Sequence, residues 1–216
     1  MNNDQENPWI THSSEEKYRN AWIEVVEHQV TNPAGNPGIY GVVGFKNVAV
    51  GIVPVDEHGN TVLVGQYRYP LNTYSWEIIE GGCPIGKPLR QGAMRELLEE
   101  TGLSAKHLHY LLDLHTSNSV TDEHSTVFVA SNLSQGTAIP EETEQLKLMH
   151  CHIDQAIEMA KNGEITDAIS LAALLKLGNV KGGPGWPADL SFLHAIHRPQ
   201  KWETRYPLDG NSGPAL

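Results

Sequence analysis

The sequence predicts an α+β fold: a mixed sheet flanked by a few helices. Three observations carry that expectation. Runs rich in Val, Ile and Tyr recur between turn signals, as strands do. Helical spacing is confined to a few segments, and these do not alternate regularly with the strands, which argues against a doubly wound sheet. Finally, 216 residues that are 39% hydrophobic and 19% charged describe a globular chain, long enough to bury a core without a metal or disulfide staple.

The elements follow in order. Ser13-Ser14-Glu15-Glu16 has the form of a capping box and predicts a short helix. Trp22 to Val30 reads as a strand. Phe45 to Val55 is a second, turned at Asp56–Asn60 into Thr61 to Tyr69, so the pair predicts a hairpin. Tyr74 to Ile79 is a strand that feeds Gly81-Gly82. A helix is expected over Leu89–Thr101 with Gly102 as its stop. His109–Leu114, Ser125–Ala130 and Leu146–His152 read as strands. Asp154 is placed to cap a helix reaching Asn162, with Gly163 after it. Thr166 caps a last helix, Asp167 to Leu177, which Gly178 ends. Beyond it, KGGPGWPADL and RYPLDGNSGPAL break regular structure. Residues 180–216 therefore read as a tail, able to drape over the domain through Trp186, Phe192 and Trp202. The expected organisation is an N-terminal extension over 1–47, a main domain over 48–179, and this tail.

Charge excludes some functions. The net charge is −11, and the tail is nearly neutral, so the acidity lies in the main part. Nucleic acid is not expected as a partner, because its binding is driven by Lys and Arg; nor is a basic membrane-surface helix. No run of 18 apolar residues predicts a membrane span. MNNDQENPWI lacks the features of a signal peptide, and two cysteines do not make a disulfide framework, so a cytoplasmic protein with free thiols is expected. Histidine is abundant, yet His107, His109, His150 and His152 lack partners at zinc-like spacing.

The segment GGCPIGKPLRQGAMRELLEETGL, Gly81 to Leu103, concentrates the chemistry. At 100° per residue, Glu96, Glu99 and Glu100 fall within an arc of about 100°, and Met94, Leu97, Leu98 and Thr101 lie on the opposite side. Like charges at these spacings destabilise a bare helix by a few tenths of a kcal/mol per pair. A hard divalent cation removes that penalty, since it prefers a few carboxylates plus water and phosphate. A solvated acidic face is the plainer reading of the same pattern. Arg95, beside the cluster, and Gly81-Gly82, which lets backbone approach a ligand, favour the cation.

This segment resembles the Nudix box: Gly, five residues, Glu, seven residues, then Arg-Glu-U-x-Glu-Glu-x-Gly-U, with U bulky and aliphatic. Gly81, Arg95, Glu96, Leu97, Glu99, Glu100, Gly102 and Leu103 match in register. One position departs, with Lys87 where the box has its first Glu. Gln66 to Pro70, Ser75 to Ile78, Thr116 to Glu123 and Gly163 to Ala168 are similar to the ADP-ribose pyrophosphatase and nucleoside-diphosphate-sugar branch, so the likeness spans roughly residues 20–178. Asn118 stands where that branch often has Pro.

The resemblance implies a Nudix-type α/β/α sandwich with a small N-terminal antiparallel sheet used for homodimerisation. It implies hydrolysis of a nucleoside diphosphate linked to a sugar, with ADP-ribose giving AMP and ribose 5-phosphate. GDP-mannose or another nucleotide sugar is the alternative, and a ligand sensor that does not cleave is a further one, favoured by Lys87 and Glu80. It implies Mg²⁺ or Mn²⁺ held by Glu96, Glu99, Glu100, the Glu80 carbonyl and Glu144. Glu142, in the loop with Glu141, would be the general base, with Glu99 and Arg95 in the catalytic group. Arg68, Trp76, Glu77 and Glu123 would touch substrate. Several of these have a plain structural reading too: a surface ion pair for Arg68, core for Trp76, and a solvated turn for the loop glutamates. Trp22 and Tyr40 are open in the same way between stacking and packing.

Overall fold

A computed structural model describes residues 6–136 and 146–209. The chain divides into two compact units, Met1–Asn47 with His115–Glu123, and Val48–Leu114 with His124–Leu216.

The first unit is an antiparallel sheet of β1 (Ile10–Arg19), β2 (Ile23–Thr31) and β3 (Pro37–Phe45), in that order. The expected capping-box helix is therefore strand β1. Four polar residues are a purely local signal, with no apolar helical stripe behind them to dock. Pairing with β2 satisfies the backbone of the whole segment instead, and cross-strand contacts such as Ser14–His28 (2.7 Å) and Arg19–Glu24 (2.7 Å) align it. The segment His115–Glu123 adds to this unit: the amide of Val43 donates to the carbonyl of Val120 at 2.8 Å, and that of Phe45 to the Asp122 carboxylate at 2.8 Å.

The second unit holds β4 (Asn47–Pro54), β5 (Asn60–Arg68), β6 (Thr73–Glu77), β7 (Ile79–Pro84), α1 (Leu89–Thr101), β8 (Leu103–His115), β9 (His124–Gln135) and β10 (Lys147–His152). Helices α2 (Ile153–Lys161), α3 (Ala168–Val180), α4 (Ser191–His194) and α5 (Gln200–Arg205) complete it. One sheet runs β10-β5-β6, all antiparallel. The other runs β7-β4-β9-β8, with β4 and β9 parallel.

Strand periodicity makes this an α/β/α sandwich. Successive strand residues point to opposite faces. On β9, Val127 and Val129 enter one core, and Phe128 and Ala130 the other. On β5, Leu63 enters the first, and Val62 and Val64 the second. The first core is closed by α2 and α3 through Ile153, Ile157, Leu174 and Leu177; the second by α1 through Leu89, Ala93 and Leu97. With both faces covered, these strands read as continuous apolar runs.

Several local expectations change. The Asp56–Asn60 turn forms, but β4 and β5 go to different sheets rather than pairing as a hairpin. The run Tyr74–Ile79 splits into β6 and β7, and Gly81-Gly82 lies within β7 rather than after a strand. His152, not Asp154, caps α2, its ring accepting the Asp154 amide at 3.2 Å. Asp167 caps α3 by accepting the Ser170 amide at 2.8 Å, in place of Thr166. Gly178 does not end α3. It lies inside the helix, where an added Cβ would come within 3.0 Å of Ile157, so α2 and α3 approach closely.

The C-terminal segment is built into the second unit. Leu193 and Leu208 are buried, one in each core. Arg198 is the deep anchor. Its Nε and Nη2 donate to the two oxygens of Asp113, each at 2.8 Å, and Nη1 donates to Glu203 at 2.9 Å and to the Tyr206 carbonyl at 2.6 Å. Asp113 also accepts from Thr126 (2.7 Å) and Tyr110 (3.0 Å), and His124 lies 2.9 Å away with Tyr206 stacked on its ring. Burial alone would raise the Asp113 carboxyl, but Arg198, His124 and Thr126 together hold it well below the carboxylate range.

Candidate active site

Helix α1 and strand β7 form the site. Gly102, at φ 72°, stops the helix in the left-handed region that glycine tolerates. Leu97 faces the core as its place on the wheel requires, whereas Leu98 is exposed. Glu96 and Glu100 are buried and Glu99 is half-buried, so the acidic arc is not a freely solvated face.

Arg95 organises this arc. Its Nη1 donates to Glu99 at 2.6 Å; its Nη2 donates to Glu96 at 2.5 Å and to the Gly82 carbonyl of β7 at 2.8 Å. One guanidinium thus fixes two carboxylates and ties the helix to the strand. Gly81 completes the arrangement. A Cβ there would overlap the Glu96 carboxyl group, so only glycine lets that carboxylate lie against the β7 backbone. Lys87 lies exposed in the turn between β7 and α1, with no ion pair among the described residues.

A second group adjoins on β5, β6, β7 and α3. Arg68 Nε donates to both oxygens of Glu77, at 2.9 and 3.2 Å, and Nη2 reinforces the pair; Glu77 is 2% exposed. The ion-pair reading of Arg68 is therefore realised, with its side chain still 38% exposed. Glu80 accepts from the Ser170 hydroxyl at 2.7 Å, and that hydroxyl accepts the Ile78 amide at 3.0 Å. Burial, and then the neighbouring Asp167 carboxylate, push the Glu80 carboxyl well above the carboxylate range. Asp167 and Ser170 were not expected here. The signal was an N-cap Asp followed three residues later by Ser, but sequence alone does not aim that helix end at β7.

The remaining expected residues have the following surroundings. Trp76 is half-buried, packed against Gly65 and set edge-on to Tyr74 at 5.5 Å. Glu123 belongs to the other unit, where its carboxylate accepts from the Thr116 hydroxyl. In that unit Trp22 is 69% exposed, and the Tyr40 hydroxyl donates to the Ser119 carbonyl at 2.6 Å. Glu141, Glu142 and Glu144 lie outside the described residues. Cys83 and Cys151 are free and buried, and burial pushes both thiols up.

Among the described residues, no three His, Cys, Asp or Glu side chains converge as a ready-made metal cage. The donor set nonetheless suits a hard cation. It is all oxygen, it lies in the cradle that a Cβ at Gly81 would fill, and Mg²⁺ needs only one or two protein carboxylates beside water and phosphate. No described helix is long and apolar enough to cross a membrane.

Comparison with known proteins gives likenesses of family and fold. The NUDIX domain family matches residues 45–174, and the family described as the nucleoside diphosphate sugar hydrolase N-terminal domain matches residues 9–43. An ADP-ribose pyrophosphatase of Mycobacterium tuberculosis is 32% identical over 204 residues, covering 93% of this chain and 97% of that protein. One from Bacillus subtilis is 29% identical over 166 residues, 76% of this chain and 89% of that protein. Among solved structures, an ADP compounds hydrolase superposes with a TM-score of 0.71 at 21% identity, covering 79% of this chain and 92% of that one, a likeness of fold.

Proposed function

The chain belongs to the Nudix family and is one of its pyrophosphohydrolases, and on that premise we propose that it hydrolyses the diphosphate bond of ADP-ribose. Water adds to one phosphorus, the bridging P–O bond breaks, and AMP and ribose 5-phosphate leave. The observation that carries this reading is the Arg95 clamp over Glu96 and Glu99, set against a β7 backbone kept bare by Gly81.

Members of this family use divalent metal ions. Here Glu96, Glu99, Glu100 and the Glu80 carbonyl would hold Mg²⁺ or Mn²⁺, with Glu144 as a further ligand. Such an ion neutralises diphosphate oxygens and acidifies bound water, which lets an acidic site accept an anionic substrate. The protein's own groups have separable roles. Arg95 fixes the orientation of Glu96 and Glu99. Arg68, with its exposed edge, contacts a phosphate oxygen while Glu77 holds its other face. Glu142 takes the proton from the attacking water. Trp76 and Glu123 are assigned to substrate contact by the family resemblance.

A panel of ADP-ribose, GDP-mannose and other nucleotide sugars, with products identified by mass, tests the proposal. AMP and ribose 5-phosphate as the fastest-formed products support it. Faster turnover of another sugar nucleotide reassigns the substrate, for which Asn118 in place of Pro is the sequence feature to vary.

The same reading includes a homodimer formed through the first unit. There β1 is exposed along its length, and Ile10, Tyr18 and Ile39 present apolar surface. Light scattering of the full chain checks it, and a monomeric mass rejects it.

A further inference from the structure

A second cavity lies in the same unit, on the other side of α1. It measures about 610 Å³, within the range of small-molecule sites. On the helix wheel Arg90 and Met94 sit about 120° and 160° from Glu96, away from the acidic arc. They face β8 and the C-terminal segment, which complete the cavity.

Its lining is basic. Arg90, Lys106, His107, His109 and His194 all border it, in a chain with only 15 Lys and Arg and a net charge of −11. The three imidazoles form a row, with His107 and His109 centroids 6.1 Å apart and those of His109 and His194 5.2 Å apart. Lys106 is exposed and has no ion-pair partner among the described residues. Arg90 is held by the Leu108 carbonyl and by exposed Asp209 at 3.3 Å. Asp189, whose field reaches His194, already accepts from the amide and hydroxyl of Ser191. Leu193 and Ile196 supply an apolar wall.

We propose that this cavity binds the phosphoryl group of a small metabolite, with Lys106, His107, His109 and His194 as its basic lining and Leu193 and Ile196 against the apolar remainder. Basic groups gathered at one cavity are favoured by an anion seated among them. Burial first, and then His194, His107 and Arg90, hold the His109 imidazole below its ordinary value, and a bound anion would oppose that shift. The C-terminal segment lies beyond the matched NUDIX domain, and building this cavity gives it a role.

The test uses the full chain with divalent cations chelated, and follows histidine ring proton resonances. Inorganic phosphate and AMP are titrated separately, with adenosine as the uncharged control. The expected result is a saturable shift of His107, His109 and His194 with either phosphate-bearing probe, and a rise in the His109 pKa. Saturation by phosphate alone identifies the free anion as sufficient. Tighter binding of AMP identifies a nucleotide. Lys106→Glu, at an exposed position, should weaken binding about tenfold or more, whereas Lys161→Glu and Glu99→Gln leave it unchanged. No histidine shift at millimolar phosphate or AMP, an equal response to adenosine, or binding indifferent to Lys106→Glu overturns the proposal.

Discussion

Two arginines in the second unit each clamp carboxylates, and they do so to different ends. Arg198 is 6% exposed and Asp113 1%, so the pair itself is shut away from solvent. Arg95 is 42% exposed, and it holds Glu96 and Glu99 at the margin of the fold beside a deliberately bare strand. A closed network of this kind spends its bonding on holding chain segments together. A clamp left open to solvent keeps carboxylate oxygens in place for something that arrives later.

The comparison is broken most severely at the open clamp. Glu99→Gln or Glu100→Gln should lower kcat by orders of magnitude while the circular dichroism spectrum and Tm stay near those of the unchanged chain. Turnover that survives either change removes the metal assignment. Gly81→Ala should act in the same direction, because its methyl group displaces the Glu96 carboxyl. Its loss of rate should exceed any loss of Tm.

At the closed network the reverse holds. Arg198→Ala strands the buried Asp113 carboxylate and should cost about 3–5 kcal/mol of stability by denaturant unfolding. Acid sharpens the distinction further. The folded Asp113 carboxyl lies below its unfolded value, so its contribution is present above the ordinary carboxylate range and is lost as pH falls through the depressed folded value. Stability measured from neutral to strongly acidic pH should fall less steeply in Asp113→Asn than in the parent. The smallest effect is expected at exposed Lys87, where Lys87→Ala should change stability by no more than about 0.5 kcal/mol. Lys87→Glu, which restores the first Glu of the Nudix box, reports through its rate how much the box needs that residue.

What could be read in advance follows from range. The α1 helix, its Gly102 stop and the Arg95–Glu96–Glu99 cluster are set by residues a turn apart, so spacing sufficed. Strand partners are not local: the turn at Asp56–Asn60 is plain in the sequence, yet nothing near it says that β4 and β5 join different sheets. The capping-box pattern at Ser13 failed for the same reason, since the ladder to β2 outweighs a cap. The glycines and prolines of 180–216 mark breaks in regular structure but do not tell where the segment packs. Its anchor, Arg198, meets a partner 85 residues earlier. The Glu80–Ser170–Asp167 group joins a strand to a distant helix end, and no spacing rule covers that.

The Asp113–Arg198 bond also bears on the order of events during synthesis. Chains emerge from the N-terminus and their domains tend to fold as units. The first unit has all its segments once Glu123 is made. The second cannot bury Asp113 at low cost until the chain has grown to Arg198, nor fill its α1-side core until Leu208 follows. A ribosome stalled before Arg198 would therefore leave the Asp113 carboxylate of β8 without its partner. The late arrival of a single guanidinium makes the burial of Asp113 wait on the synthesis of residue 198.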